Sequence, residues 1–199
     1  IMKPLTCRPL APLFLAAALL TASLAHAAID VGGVDFKSQD SVENTRVELN
    51  GAGLRTRLTF KVYAMGLYLR QPATTTTAVL HDSGVKRIRI VMIRDLKGKQ
   101  FADALLAGLE RNHDSAALAA LKPATDALLT AIMASGEAKA GTELILDQLA
   151  SGATRLLING QAQGTAIADP AFYPALLRIW LGEGPADSAL KADLLKPEH

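Results

Sequence analysis

LRTRLTFKVYAMGLYL, residues 54 to 69, is the stretch on which the fold turns. Leu58, Phe60 and Val62 alternate with polar partners at period two, the pattern of a half-buried strand. After Tyr63 the phase changes, and Met65, Leu67 and Leu69 become the apolar set. A phase change inside a strand predicts a bulge, or a strand that passes from one covered face to another. Gly66 suits a kink or a close approach by another group. Upstream, TRVEL (45 to 49) begins the first clear strand, and Asn50-Gly51, lengthened by Gly53, predicts a hairpin turn. Residues 28 to 41 read as an irregular or edge segment. Downstream, RIRIVMI (87 to 93) is a second alternating strand. Lys86, Arg87 and Arg89 there read as its solvated face.

Helical spacing follows. From Lys99 to Asn112, Phe101, Leu105 and Leu109 fall four apart, with Leu106 beside them. Asp114 or Ser115 can cap the next helix, which Pro123 is expected to kink or split. Thr142 to Leu149 and Thr154 to Ile158 read as strands. Asn159-Gly160 predicts a hairpin to a short strand near 163 to 167. Asp169-Pro170 opens a helix that runs through Tyr173 and Trp180 and stops at Gly182. Asp187 to Leu195 is a last short helix. Strands, helices, strands, helices is an α+β order, so a largely antiparallel sheet with helices on one face is expected.

The N-terminus reads as an address. Lys3 and Arg8 precede an apolar run from Leu10 to Leu20, and Ala25-His26-Ala27 follows. These are the parts of a secretory signal peptide, with cleavage expected after Ala27 and a periplasmic or secreted mature chain. The apolar run is too short for the roughly 20 residues of a membrane span, so no stable insertion of the mature chain is expected. The whole sequence has 21 Lys and Arg against 19 Asp and Glu. Loss of Lys3 and Arg8 leaves a mature chain of zero net charge, without the basic footprint of nucleic-acid binding. The single cysteine, Cys7, lies in the same segment, which leaves the mature chain no disulfide, thiolate ligand or cysteine nucleophile. Residues 42 to 196 are long enough to form one domain around its own core.

There is no nucleotide loop, no Gly-x-Ser-x-Gly and no metal-ligand spacing, and no cofactor or metal is expected. His81 and His113 read as surface residues. Arg55 and Tyr63 share parity, so a straight strand shows both on one face. It would also hold them about 27 Å apart, at roughly 3.4 Å per residue. They share a ligand only if the chain folds back or the ligand is long.

Several segments together resemble the chalcone isomerase-like family. They are Gly51-Ala52-Gly53-Leu54-Arg55, the pattern Lys61, Ala64, Gly66, Tyr68 and Leu69, GKQFADAL (98 to 105), and FYPALLRIWLG (172 to 182). The resemblance implies an open-faced β-sandwich, a large antiparallel sheet packed by a layer of helices, with an apolar ligand cleft between them. In the family's enzymes a chalcone cyclises to a flavanone there; in non-catalytic members a fatty acid is held by an arginine. The family arginine falls on Arg55, and the strand threonine of the enzymes falls on Tyr63, as in the fatty-acid binders. The helix tyrosine and lysine of the enzymes fall on Phe101 and Ala104, and the late-helix threonine or serine falls on Tyr173. Phe101 and Ala104 thus remove two donors that would stabilise the charge developing on oxygen.

The resemblance implies a non-catalytic protein that binds a small apolar anion such as a fatty acid, and the N-terminal pattern adds export. Arg55, Tyr63, Lys61, Phe101 and Tyr173 are its candidate ligand-binding residues, and no catalytic residue is assigned. Arg55 can instead form an internal ion pair with Glu48 or another acid. Two alternatives stand beside this reading: an isomerase acting on a chalcone-like enone, and a ligand-free envelope interaction module. A cleft filled by Phe101, Tyr173 and Trp180 would favour the module.

Overall fold

The computed structural model of the chain describes residues 28–197. The signal-peptide expectation for residues 1–27 lies outside them. Residues 54 to 69 are the end of one strand and the whole of the next. β4 (Thr45–Arg57) and β5 (Phe60–Leu69) are antiparallel partners, and the chain reverses at Leu58 and Thr59. The phase change lies within β5 and is the expected bulge: Arg55 pairs with Tyr63 and Thr56 with Lys61, so Val62 is the extra residue. The hairpin ahead of it leaves Leu58 and Phe60 exposed at its end instead of lining a strand face.

Asn50-Gly51 is correspondingly no turn. It lies inside β4, where the register slips between Leu49 and Gly51. The side chain of Asn50 is used there as a clip. Its Nδ2 donates to the carbonyls of Ala73 and Leu194, at 2.9 and 2.7 Å, and its Oδ1 accepts from the Ala73 N–H at 2.7 Å.

Residues 28 to 42 form three short strands: β1 (Ala28–Asp30), β2 (Asp35–Lys37) and β3 (Gln39–Val42). The remaining strands are β6 (Lys86–Met92), β7 (Leu96–Lys97), β8 (Glu137–Ala138), β9 (Glu143–Gln148), β10 (Thr154–Ile158) and β11 (Gln161–Ala162). Seven of them make one antiparallel sheet in the order β11-β10-β9-β6-β5-β4-β3. Asn159-Gly160 does form the expected hairpin, with both residues at positive φ. β11 begins directly after it, ahead of the expected 163 to 167, where Ile167 makes a single bridge to Thr154.

The helices are α1 (Thr76–His81), α2 (Gly98–Glu110), α3 (Ser115–Ala134), α4 (Phe172–Leu181) and α5 (Ser188–Leu194). Asp114 caps α3, accepting from the Ala117 N–H at 2.8 Å. Pro123 does not split α3. Both it and Ala119, whose carbonyl loses its helical donor, are exposed, so water can satisfy that oxygen. α4 starts at Phe172, later than expected, because Asp169 folds its own turn by accepting from the Ala171 N–H. At its end, a Cβ on Gly182 would stand 2.1 Å from Asn112 Oδ1, so glycine is required there for space.

Two cores flank the sheet. On one face Tyr63, Met65, Leu67, Ile88, Ile90 and Leu146 pack under Phe101, Leu105, Leu128, Leu176 and Trp180 of the helices. On the other, Phe36 lies directly over Gly66, where a Cβ would meet its ring at 2.6 Å. This close approach is what Gly66 allows.

Lys86, Arg87 and Arg89 are not a solvated face. Lys86 is wholly buried, its ammonium held by the carbonyls of Asp82 and Gly84. Arg87 is buried and bidentate to its cross-strand partner Asp147, at 2.7 and 3.0 Å, with Asp40 at 2.7 Å. Arg89 pairs with Glu143 at 2.6 Å and lies over the Phe36 ring. Period-two spacing suggests one wet face, but residues 28 to 42 fold over the Arg87 and Arg89 side of this central strand and cover it, whereas Lys86 belongs to the other side. The two arginines stay because Asp147, Asp40 and Glu143 pair with them, and Lys86 stays because carbonyls and the nearby Asp82 carboxylate, at 3.7 Å, hold its ammonium.

Candidate functional site

Gly51, Gly53 and Arg55 occupy alternate positions of β4. Their partners across the ladder are Leu67, Met65 and Tyr63, which face the helices. α5 lies on this track. A Cβ on Gly51 would stand 2.1 Å from the Asp193 carbonyl oxygen, and one on Gly53 would stand 2.6 Å from Asp193 Oδ2. The two glycines let a helix rest on the strand backbone, and its N-terminus then brings Asp187 to Arg55.

Asp187 caps α5, its Oδ1 accepting from the N–H groups of Ala189 and Leu190 at 2.9 and 3.2 Å. Its Oδ2 accepts from the Thr56 N–H at 3.0 Å and lies 3.6 Å from Arg55 Nη1. Burial alone would raise this carboxyl. The N–H bonds from Thr56, Leu190 and Ala189, together with Arg55, outweigh it and hold the group below its ordinary value. Arg55 is half-buried and also donates from Nη1 to the Thr56 carbonyl. Among the described residues no other hydrogen bond uses its guanidinium, which has five N–H donors.

Directly across the ladder, Tyr63 is buried. Its hydroxyl oxygen accepts from Trp180 Nε1 at 2.8 Å, and its ring meets Phe101 edge-on at 6.4 Å. Burial pushes the phenol up to about 12, although the Trp180 bond and Arg55 pull the other way. Tyr63 is thus neutral near pH 7, and its own proton remains free to donate. It is no base at that pH.

The structure therefore brings Arg55, Tyr63 and Phe101 together and replaces the straight-strand separation with cross-strand contact. Lys61 is exposed near the hairpin end, outside this group. Tyr173 is buried over β9, two strands from β5, and donates to the Leu146 carbonyl at 3.0 Å. Asp187 and Trp180 are the site residues that sequence reasoning did not assign. The demand of Gly51 and Gly53 for a close neighbour was the signal for the first. His113, expected at the surface, is half-buried with Nε2 3.1 Å from the Ala175 carbonyl of α4.

Phe101, Tyr173 and Trp180 fill the space between sheet and helices where a cleft is expected, and each is nearly inaccessible to solvent. A groove of about 730 Å3 lies elsewhere, along the β4 edge that β3 leaves unpaired beyond Glu48. Ile29, Val31, Leu54 and Leu58 line it, with Asp187 among its acidic residues.

No relative is found among curated proteins. Among solved structures, a fatty-acid binding protein of Arabidopsis thaliana superposes with a TM-score of 0.63 at 15% identity, covering 85% of this chain and 96% of its own. At that identity the likeness establishes a shared fold. The profile of the chalcone isomerase-like family matches residues 28–196, and the chain belongs to that family.

Proposed function

We propose that the protein is a non-catalytic binder of a small apolar anion such as a fatty acid, and that it works after export. The observation that carries the reading is the Arg55–Tyr63 pair. A guanidinium with uncommitted donors stands across one ladder rung from a neutral phenol that can donate. A carboxylate accepts from both. Asp187 is first an α5 cap, and its 3.6 Å approach to Arg55 is longer than a hydrogen bond, so a ligand carboxylate can compete with it. The solved neighbour, a fatty-acid binding protein, supports the ligand class. The tail would enter between sheet and helices, where Phe101 and Trp180 must turn aside.

Mass spectrometry of solvent extracts from purified protein should show a bound long-chain acid, and Arg55→Ala should weaken fatty-acid affinity by about tenfold or more. Unchanged affinity in Arg55→Ala would remove the anchoring role. The export part rests on the pattern of residues 2 to 27, and N-terminal sequencing of protein from the producing cell tests it: a chain starting at Met2 would refute it. One observation favours the interaction module, namely the filled interior; extracts free of lipid and no measurable affinity would select it. No observation favours the isomerase, since Phe101 brings no hydroxyl to Tyr63.

A further inference from the structure

The β4–β5 hairpin ends in an apolar point ringed by cations. Leu58 is 90% exposed and Phe60 58% exposed, the two most exposed large apolar side chains among the described residues. Leu58 also has φ of 57°, the left-handed region, at the first of the two turn residues. Two-residue hairpins favour glycine, asparagine or aspartate at such positions, so leucine is there at a steric cost and without burial in return. A costly conformation that no internal contact explains points to something outside the chain.

The surrounding charge says what that is. Arg57, Lys61 and Arg94 are exposed, and among the described residues none has an acidic partner within ion-pair distance. The Arg94 guanidinium lies 5.2 Å from the centre of the Phe60 ring. Along the strands of the same sheet, by contrast, Arg46 is matched to Glu48, Arg87 to Asp147 and Arg89 to Glu143. At this end three exposed cations without an ion-pair partner flank an exposed leucine and an exposed phenylalanine. Apolar side chains that enter the acyl boundary, with lysine and arginine at headgroup level, fit an anionic bilayer surface.

We propose that the Leu58–Phe60 hairpin end is a peripheral membrane anchor that docks the protein on anionic lipid. The inference does not depend on the ligand reading, because the residues that touch the bilayer are not those that would hold a carboxylate. It differs from insertion of a span: one hairpin end enters the headgroup region and the folded domain remains outside.

Sedimentation with vesicles tests it, using phosphatidylcholine alone and phosphatidylcholine mixed with phosphatidylglycerol. Wild-type protein should bind the mixed vesicles, bind phosphatidylcholine far less, and lose binding as salt is added. The double variant L58N and F60T should bind the mixed vesicles at least about tenfold more weakly. A cooperative thermal transition with a midpoint at or above that of wild type would show that it is folded. Arg57→Ala with Lys61→Ala should weaken binding and flatten its salt dependence. Arg55→Ala should leave vesicle binding in place, which separates this proposal from the fatty-acid site. Failure of the wild type to bind mixed vesicles, or equal binding by the double variant, overturns the proposal. So does a wild-type dimer in solution that the double variant abolishes, because the hairpin end would then serve a second copy of the chain.

Discussion

At Arg55 the proposed ligand and Asp187 compete for one guanidinium. Asp187→Asn removes the competing charge but keeps a side chain that caps helices well. The expected result is tighter fatty-acid binding, by roughly threefold to tenfold, given that a partly exposed charge pair is worth about 1 kcal/mol. Weaker binding would mean that Asp187 holds Arg55 in position instead of blocking it. The pH dependence has a definite sign. The Asp187 carboxyl is held below its unfolded value, so its contribution to stability is present above about pH 4 and is lost as the pH falls through the folded value. Between pH 7 and 3 the thermal midpoint of wild type should therefore fall more steeply than that of Asp187→Asn. Leu58 is the converse case, a residue that costs its own fold about 1–2 kcal/mol of left-handed strain. Leu58→Asn alone is accordingly expected to raise the midpoint while it weakens vesicle binding, a combination that a purely structural turn residue would not give.

Among the elements, α5 and β4 depend on each other through missing side chains. Gly53→Val places a branched group where the Asp193 side chain already stands, 2.6 Å from the would-be Cβ. Valine suits a strand, so β4 should persist and α5 should lift, at a cost of about 1–3 kcal/mol. Limited proteolysis should then cut between residues 183 and 197 before the rest of the chain unfolds; a cleavage pattern equal to wild type would show that the contact yields without release. These glycines also explain where sequence reading succeeded and failed. α2, α3, α5, β6, β9 and β10 were legible because each carries its own pattern, and α3 and α5 also their own caps, Asp114 and Asp187. The β4–β5 hairpin was not. Its turn, Leu58-Thr59, has none of the usual turn residues, whereas Asn50-Gly51-Ala52-Gly53 has them and uses them for a bulge, a clip and a helix seat. Turn chemistry and close packing both call for glycine, and a single sequence does not say which. The same ambiguity hid the site: Arg55 and Tyr63 become neighbours only once the reversal is placed between them, and Asp187 comes from more than a hundred residues away.

Across the whole molecule, the chain's three tyrosines sample both cores. Tyr63 lies under Trp180, Tyr173 is fixed over β9, and Tyr68 is buried on the opposite face near Arg87 and Arg89. Burial is the dominant cause at each, raising Tyr63 and Tyr68 to about 12 and Tyr173 well above its ordinary value. In the unfolded chain all three ionise near 10. A folded value above the unfolded one favours the neutral form, so the stabilisation is complete below pH 10 and is withdrawn as the pH rises towards the folded values. No tyrosine can ionise cheaply while its own core is intact. Alkaline titration should therefore show little tyrosinate absorbance until the fold fails, and absorbance and loss of near-ultraviolet circular dichroism should rise together in one transition above pH 10. Tyrosinate appearing near pH 10 with the dichroism preserved would mean that at least one of these rings reaches water in the folded state. Tyr63 would be the informative one: its early ionisation would show that the space behind Arg55 opens without a ligand, and would shift the proposed site from one that must be forced to one already accessible.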